Sequence, residues 1–247
     1  MIYIIGGPGK TGSSTISKRL AQDLDAPRLY GGQYMRTEAI KAGFVKDGYQ
    51  PGPDQAQWDL DQAAVSSFRR NCEETGRDID KEMEMYLLGG MIDAVVNDSD
   101  VVIESKVMNR FLQSNVFPTF LSELNANRFN DQRQYIQPGA LREHSKGIWL
   151  HSDLTTRASR SVMKRNSQRV TPEGMPLPID PTELKAEQNF LAERQLCDGA
   201  DYARKYGMDD YPSPEKQPPP SYGFVLDTSN HTDENQTYRL VRGIFGV

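Results

Sequence analysis

Residues 7–15, Gly-Pro-Gly-Lys-Thr-Gly-Ser-Ser-Thr, have the composition of a loop that holds phosphate groups. Glycines let a backbone curl so that successive N–H groups point at an anion, and the positive end of a following helix adds to the attraction. Gly7 and Gly12 have the spacing of the motif G-x-x-x-x-G-K-[ST], and Ser14 occupies the hydroxyl position that normally ligates Mg²⁺. The lysine position of the motif holds Ser13. The sequence therefore predicts a phosphate-binding loop without its usual cation.

Lys10 is the candidate for supplying the missing charge. The motif lysine normally contacts the β- and γ-phosphates of a nucleotide and offsets charge during phosphoryl transfer, which a serine cannot do. Lys10 lies earlier in the same loop, from where its ammonium can swing over the phosphates. The predicted nucleotide contacts of the loop are Gly7, Gly9, Lys10, Gly12, Ser13, Ser14 and Thr15. For the loop taken alone, the alternative is a glycine-rich turn with no ligand.

The elements on either side of the loop match what the motif requires. The apolar run 2–5 predicts a buried strand, and residues 14–25 predict a helix with apolar side chains on one face. We expect Ser13 or Ser14 to cap this helix, because serine side chains accept hydrogen bonds from the first free N–H groups of a helix.

Short apolar runs alternate with helical patterns along the rest of the chain. Strands are predicted at 2–5, 28–30, 101–104, 147–150 and 223–227. Helices are predicted at 14–25, 33–43, 54–74, 78–97, 154–166, 181–206 and 232–245, the last with Thr232 as its cap. Continuously apolar strands indicate a parallel sheet covered on both faces, so the predicted fold is a doubly wound α/β fold. Ligands then bind at the carboxyl ends of the strands, here 6–14, 104–106, 151–153 and 227–229.

Composition narrows the classes of protein. The chain has 247 residues and a net charge of −5, which argues against a nucleic-acid partner. Its two cysteines, Cys72 and Cys197, cannot form a disulfide framework or a zinc site. No apolar run approaches the roughly 18 residues of a membrane helix, and no leader pattern is visible. We therefore expect a cytoplasmic protein without a membrane partner; the oligomeric state is open.

Two segments are expected to lie outside a compact core. Residues 107–146 are long, polar and rich in Asn and Gln, which favours an insertion. Residues 166–222 hold most of the fifteen prolines, a composition typical of mobile lids and also of surface excursions.

Several segments resemble, in order along the chain, those of a single kinase family. Residues 100–106, Asp-Val-Val-Ile-Glu-Ser-Lys, are similar to a strand that ends Val-Ile-Glu-Gly-Arg in that family. The other similar segments are 25–36, 76–81, 148–160, 201–209 and 225–229. Together with the loop, they resemble the P-loop nucleoside monophosphate kinases, and most of all the short (archaeal-type) cytidylate kinases. The resemblance covers most of the chain apart from 107–146 and parts of 166–222.

The resemblance implies one P-loop kinase domain over 1–247. In this layout the part that binds the nucleoside monophosphate is 31–75, the extra insertion is 107–146, and the lid and proline-rich region is 157–222. The implied activity is phosphoryl transfer from ATP to CMP, dCMP or a similar nucleotide, with Mg²⁺. Two alternatives are open: a P-loop kinase of another small molecule or of a nucleic-acid end, and a catalytically weak nucleotide-binding protein, because Ser13 replaces the lysine.

The resemblance also assigns candidate residues to the acceptor. Arg36 matches the arginine that contacts the acceptor phosphate, and Lys106 stands in place of a second arginine. Asp80 is a weaker candidate for the acceptor base or sugar. Glu104 is expected, with Ser14, to hold Mg²⁺; orienting the acceptor or pairing with a nearby arginine are the alternatives.

A basic helix is the candidate for the part of the lid that closes over the phosphates. Spacings of three and four residues place Arg157, Arg160 and Lys164 on one helix face, where planar guanidinium groups suit phosphate. A solvated basic face is the alternative. Further lid candidates are Arg169 and Arg194, and Asp227 and Thr228 match the loop near the donor nucleotide.

Overall fold

The computed structural model describes residues 1–45, 55–166, 178–212, 223–231 and 233–247. Its strands are β1 Ile2–Gly6, β2 Arg28–Tyr30, β3 Val101–Glu104, β4 Ser145–His151 and β5 Phe224–Asp227. Its helices are α1 Ser13–Asp23, α2 Gly31–Lys41, α3 Gln55–Glu74, α4 Ile79–Val96, α5 Met108–Phe111, α6 Phe117–Arg128, α7 Pro138–Glu143, α8 Leu154–Asn166, α9 Pro181–Tyr206 and α10 Glu234–Phe245, with a 3₁₀ turn at Gln132–Gln134.

The five strands form one parallel sheet in the order β2-β3-β1-β4-β5. Strand β1 is central and buried along its whole length. Its end lies beside both neighbours, because Ile5 pairs with Glu104 of β3 and Gly6 pairs with Trp149 of β4. The loop after β1 therefore emerges between the carboxyl ends of β3 and β4, where ligands of such folds bind.

Helices cover both faces of the sheet, so the predicted doubly wound α/β fold is confirmed. Successive side chains of a strand point to opposite faces. Ile2 and Ile4 pack with α4, α5, α6 and α7 on one face, whereas Tyr3 and Ile5 pack with α1 and α10 on the other. The central strand is thus shared by two separate hydrophobic cores.

The segment 107–146 contributes to the core, so the expectation that it lies outside is wrong. Phe111, Phe117, Leu121 and Leu141 are all 0–1% exposed and pack against α4 and β1. Its polar residues dominate the composition, but its few large apolar side chains lie on the inner sides of α5, α6 and α7. The predicted layout of insertions and lid, 31–75, 107–146 and 157–222, stays an interpretation.

Helices α2, α3 and the start of α4 share a third, smaller core that includes Met35, Phe68 and Ile79. The cap of α10 differs from the prediction: Asp233 is the N-cap and accepts a hydrogen bond of 2.7 Å from the backbone N of Gln236, while Thr232 lies outside the described residues. Among the described residues, no helix combines the length and apolar character needed to cross a membrane.

Candidate functional site

The loop between β1 and α1 is built from left-handed backbone positions. Gly7, Lys10 and Gly12 have φ angles of 145°, 72° and 95°. A Cβ atom at Gly7 would lie 2.5 Å from the carbonyl O of Leu150, so the turn out of the sheet requires glycine. The left-handed region costs a non-glycine residue such as Lys10 roughly 1–2 kcal/mol, so surrounding contacts must hold this conformation.

The start of α1 differs from the prediction. Gly12 is the N-cap and provides no side chain, so neither Ser13 nor Ser14 caps the helix. Both hydroxyls instead point to β3: Ser14 Oγ donates to Glu104 Oε1 at 2.5 Å, and Ser13 Oγ donates to the same oxygen at 3.3 Å. The two residues predicted to hold Mg²⁺, Ser14 and Glu104, are therefore in direct contact.

The other carboxylate oxygen of Glu104 is bound by Ser17 and Arg28. Glu104 Oε2 accepts a hydrogen bond of 3.1 Å from Ser17 Oγ and forms a salt bridge with Arg28. Arg28 Nε also donates to Ser17 Oγ at 2.8 Å. Glu104 thus pairs with an arginine, which was one of the alternatives, and its Oε1 still accepts from the loop. A role of Glu104 in holding Mg²⁺ stays a prediction. Sequence reasoning missed Arg28 and Ser17, although Ser17 lies one helical turn after Ser13 and Ser14.

The positive charges of several side chains act on Lys10 in the loop. Desolvation lowers the pKa of Lys10 first, and the positive charge of Lys164 lowers it further; Arg165 and Arg194 act in the same direction, and Glu187 opposes them. Arg165 is itself bound to Glu187 at 2.8 Å. Like charges gathered at one place are stabilised by a polyanion, because it relieves their mutual repulsion. The predicted lid residue Arg169 lies outside the described residues.

Arg157 and Arg160 have protein partners, in contrast to the predicted row of phosphate-facing side chains. Arg157 is 2% exposed, and its Nε donates to the carbonyl O of Gly9 at 2.9 Å. Arg160 donates to the carbonyl O of Thr228 at 2.6 Å and to its Oγ1 at 3.2 Å. Burial lowers the pKa of both guanidinium groups. The third predicted residue, Lys164, lowers the pKa of Lys10 by its positive charge.

The turn after β5 is held by its own side chains. Thr228 is buried, and its Oγ1 donates to the carbonyl O of His151 at 3.0 Å. Asp227 accepts hydrogen bonds from the Oγ and the backbone N of Ser229 at 2.7 and 2.9 Å. The turn is anchored to β4 and, through Arg160, to α8. A contact of Asp227 or Thr228 with a nucleotide stays a prediction.

The residues predicted to bind the acceptor lie among ion pairs. Lys106 forms a salt bridge with Asp198 of α9; burial lowers the pKa of Lys106, and Asp198 opposes this. Arg36 is half-buried on α2. Sequence patterns gave no sign of Asp198, because it lies 92 residues from Lys106 along the chain.

Asp80 is the buried centre of a second group of charges. It accepts from Arg69 at 2.7 Å and pairs with Lys205 of α9. Burial alone would raise the pKa of Asp80, but Lys205 and Arg69 outweigh this and lower it. Long side chains of α3, α4 and α9 therefore meet at this carboxylate.

Glu84 lies on α4 one turn after Asp80. Sequence reasoning did not identify this carboxyl group. It is 1% exposed, and its Oε2 has no hydrogen-bond partner within the described ranges. Burial, and secondly the charge of Asp80, raise the pKa of Glu84 to about 8. Its side chain is therefore mostly protonated at neutral pH.

Comparisons of the chain with protein-family models and with curated proteins found no match. Solved structures of similar arrangement include a putative kinase from Chloroflexus aurantiacus, with 14% identity over 99% of this chain and 95% of that one and a TM-score of 0.45. A shikimate kinase from Bacteroides thetaiotaomicron has 12% identity over 100% and 99% of the two chains, with a TM-score of 0.43. A gluconokinase from Sinorhizobium meliloti has 11% identity over 99% and 90%, with a TM-score of 0.40.

Proposed function

We propose that the protein is a P-loop kinase that transfers a phosphoryl group from ATP to a small acceptor. The observation that carries the proposal is the hydrogen bond of 2.5 Å between Ser14 Oγ and Glu104 Oε1. It places a hydroxyl group at the start of α1 against a carboxylate at the end of β3, directly beside a loop with left-handed glycines at both ends. P-loop enzymes use such a pair to hold the Mg²⁺ that accompanies the nucleotide.

The donor set fits Mg²⁺, which prefers hard oxygen ligands and usually keeps several waters. Ser14 and Glu104 would hold the ion, and Arg28 and Ser17 hold the carboxylate in place. When bound, Mg²⁺ would neutralise charge on the phosphate oxygens. The loop itself would bind phosphate through backbone N–H groups at the N-terminus of α1.

Lys10 is the proposed replacement for the motif lysine. Ser13 donates its hydroxyl to Glu104 and carries no charge. Lys10 is in the loop, and its pKa is lowered by desolvation and by Lys164, with Glu187 opposing them. A bound phosphate would favour the charged form of Lys10. Lys10, Lys164 and Arg194 of α9 would together supply positive charge around the transferred phosphoryl group.

A nucleoside monophosphate, with CMP or dCMP first, is the proposed acceptor on the strength of the family resemblance. Three paired cations support an anionic acceptor: Lys106 pairs with Asp198 of α9, and Arg69 of α3 and Lys205 of α9 both pair with Asp80. The same observation favours a second candidate, an acceptor without a phosphate, because Asp198 and Asp80 already neutralise these cations.

The test is a coupled assay of ADP formation with a panel of acceptors that includes CMP, dCMP, other nucleoside monophosphates, nucleosides, sugars and nucleic-acid ends. We expect Mg²⁺-dependent turnover with CMP or dCMP, and loss of turnover in Ser14→Ala. Ser67→Ala is a matched control, because Ser67 is an exposed serine of α3 whose hydroxyl donates to the carbonyl of Ala63.

Three outcomes separate the hypotheses. Turnover only with nucleosides, sugars or nucleic-acid ends would favour the second acceptor class. ATP binding in a calorimeter without turnover on any acceptor would indicate a nucleotide-binding protein that does not transfer phosphate. Absence of both ATP binding and turnover would refute the proposed function.

A further inference from the structure

We propose that Arg157 is a positioning residue that holds the 7–12 loop in its phosphate-binding shape and couples that loop to α9. The inference rests on the proposed function. In this role Arg157 donates hydrogen bonds to protein oxygens, those of Gly9 and Gln195. Sequence reasoning placed this side chain in contact with phosphate.

The bond from Arg157 Nε to the carbonyl O of Gly9 spans 2.9 Å and joins α8 to the middle of the loop. A trans peptide group has its C=O and N–H pointing in opposite directions. The carbonyl of Gly9 belongs to the same peptide group as the N–H of Lys10. Holding that carbonyl toward Arg157 therefore directs the N–H of Lys10 away from Arg157, toward the other side of the loop.

The position of this bond matters because the next residue is strained. Lys10 has a φ of 72°, a left-handed conformation that L-residues other than glycine adopt only at a cost in free energy. A hydrogen bond donated by a charged group is stronger than a neutral one, so the Arg157 contact helps to offset that cost. Without the Arg157 contact, we expect the peptide group between Gly9 and Lys10 to sample other orientations.

Arg157 is in turn held by α9. Its Nη1 donates to Gln195 Oε1 at 2.6 Å, and Gln195 Nε2 donates to the carbonyl O of Pro212 at 2.7 Å. Arg157 and Gln195 are 2% and 4% exposed, so water has little access to this relay. The contacts run from the loop through α8 and α9 to the segment after α9, and movement of α9 changes the support of the loop.

The experiment uses nucleotide-free protein and two variants, Arg157→Lys and Gln195→Leu. Hydrogen exchange of the backbone amides at 9–13 is measured with wild type beside each variant. We expect about fivefold or greater acceleration of exchange in both, as for loss of one hydrogen bond worth about 1 kcal/mol. Gln188→Leu is the matched control: Gln188 lies on the same helix and its Nε2 donates to Thr155 Oγ1 of α8 at 3.0 Å, so the variant loses an α8–α9 hydrogen bond outside the relay, and its loop exchange should remain near the wild-type rate.

Kinetics provide the second readout. We expect the KM for ATP to rise in Arg157→Lys and Gln195→Leu more than the KM for the acceptor, because the hydrogen bond from Arg157 reaches the donor loop at Gly9. The double variant should be less impaired than the product of the two single effects, since the two side chains act through one relay.

Each outcome bears on the proposal. Wild-type exchange at 9–13 in both variants would overturn it, as would equal acceleration in Gln195→Leu and Gln188→Leu. If Arg157→Lys does not fold, the comparison of Gln195→Leu with Gln188→Leu decides alone. Failure of wild type to bind ATP would remove the proposed function, whereas the exchange measurement would still report on the coupling.

Discussion

Lys106, just after β3, forms a salt bridge with Asp198 in α9, and this pair joins the carboxyl end of the sheet to the longest helix. The two side chains are 27% and 24% exposed, so the pair is partly shielded from water. Burial lowers the pKa of Lys106, and Asp198 favours its charged form. A phosphate that binds Lys106 must therefore displace Asp198 or share the lysine with it.

The first prediction concerns this competition. Asp198→Asn should lower the KM for a phosphorylated acceptor roughly fivefold, the scale of one partly exposed ion pair of about 1 kcal/mol. The measurement is acceptor saturation at fixed ATP. Asp201→Asn is the control, because Asp201 lies on the same helix and pairs with Arg204 at the surface. An unchanged or higher acceptor KM in Asp198→Asn would show that Lys106 does not contact an acceptor anion.

The second prediction concerns Glu104. Glu104→Gln keeps an oxygen that can accept from Ser14 but removes the negative charge, so we expect turnover to fall about 10²-fold or more. The Mg²⁺ concentration needed for half-maximal activity should rise at the same time. Glu123→Gln is the control, since Glu123 is a surface residue of α6 that pairs with Lys81. Wild-type Mg²⁺ dependence in Glu104→Gln would contradict a role in holding the ion.

The third prediction tests whether Lys10 replaces the motif lysine. Lys10→Ala should cut kcat by about 10²-fold, the scale of losing one charge that stabilises the transition state. Ser13→Lys should restore the motif and be neutral or activating. Lys18→Ala, on an exposed side of α1, controls for a general loss of positive charge. Equal kcat for wild type and Lys10→Ala would refute the replacement.

The fourth prediction concerns pH and stability. The pKa of Glu84 is raised from 4.5 to about 8, so between these values the folded protein binds more protons than the unfolded chain. Because of this group, the free energy of unfolding falls as the pH rises between about 4.5 and 8. The slope due to Glu84 is at most about 1.4 kcal/mol per pH unit. Glu84→Gln, neutral at every pH, should flatten the dependence.

Urea unfolding between about pH 5 and pH 8 measures this slope. Glu123→Gln, at an exposed carboxyl of α6, is again the control. The same slope in wild type and Glu84→Gln would show that Glu84 is not the titrating group.

Most strands and helices could be predicted because the local spacing of apolar residues indicates them. The strands 28–30 and 101–104 and the helices 154–166 and 181–206 have the observed bounds. The meeting of Ser14 with Glu104 also followed from topology, since the ends of neighbouring parallel strands adjoin. The apolar contribution of 107–146 was missed because an average over composition conceals a few large buried side chains.

The partners of the site residues were less accessible to sequence reasoning. Gln195 and Asp198 lie one turn apart on α9, and nothing in their spacing distinguishes them from other polar residues of a long helix. Their contacts with Arg157 and Lys106 depend on how α9 lies across the end of the sheet. That placement results from tertiary packing among distant segments, which local periodicity does not encode.

The five residues of strand β1 serve two purposes: they pack into both hydrophobic cores and they set where the loop begins. Its alternating side chains fill both cores, and its last residue starts the loop. Removing one residue from the strand would exchange the two sets of side chains and draw the loop back by about 3.3 Å. We therefore expect the chain to accept changes of length in its surface connections but none between Ile2 and Ser14, where length itself is under constraint.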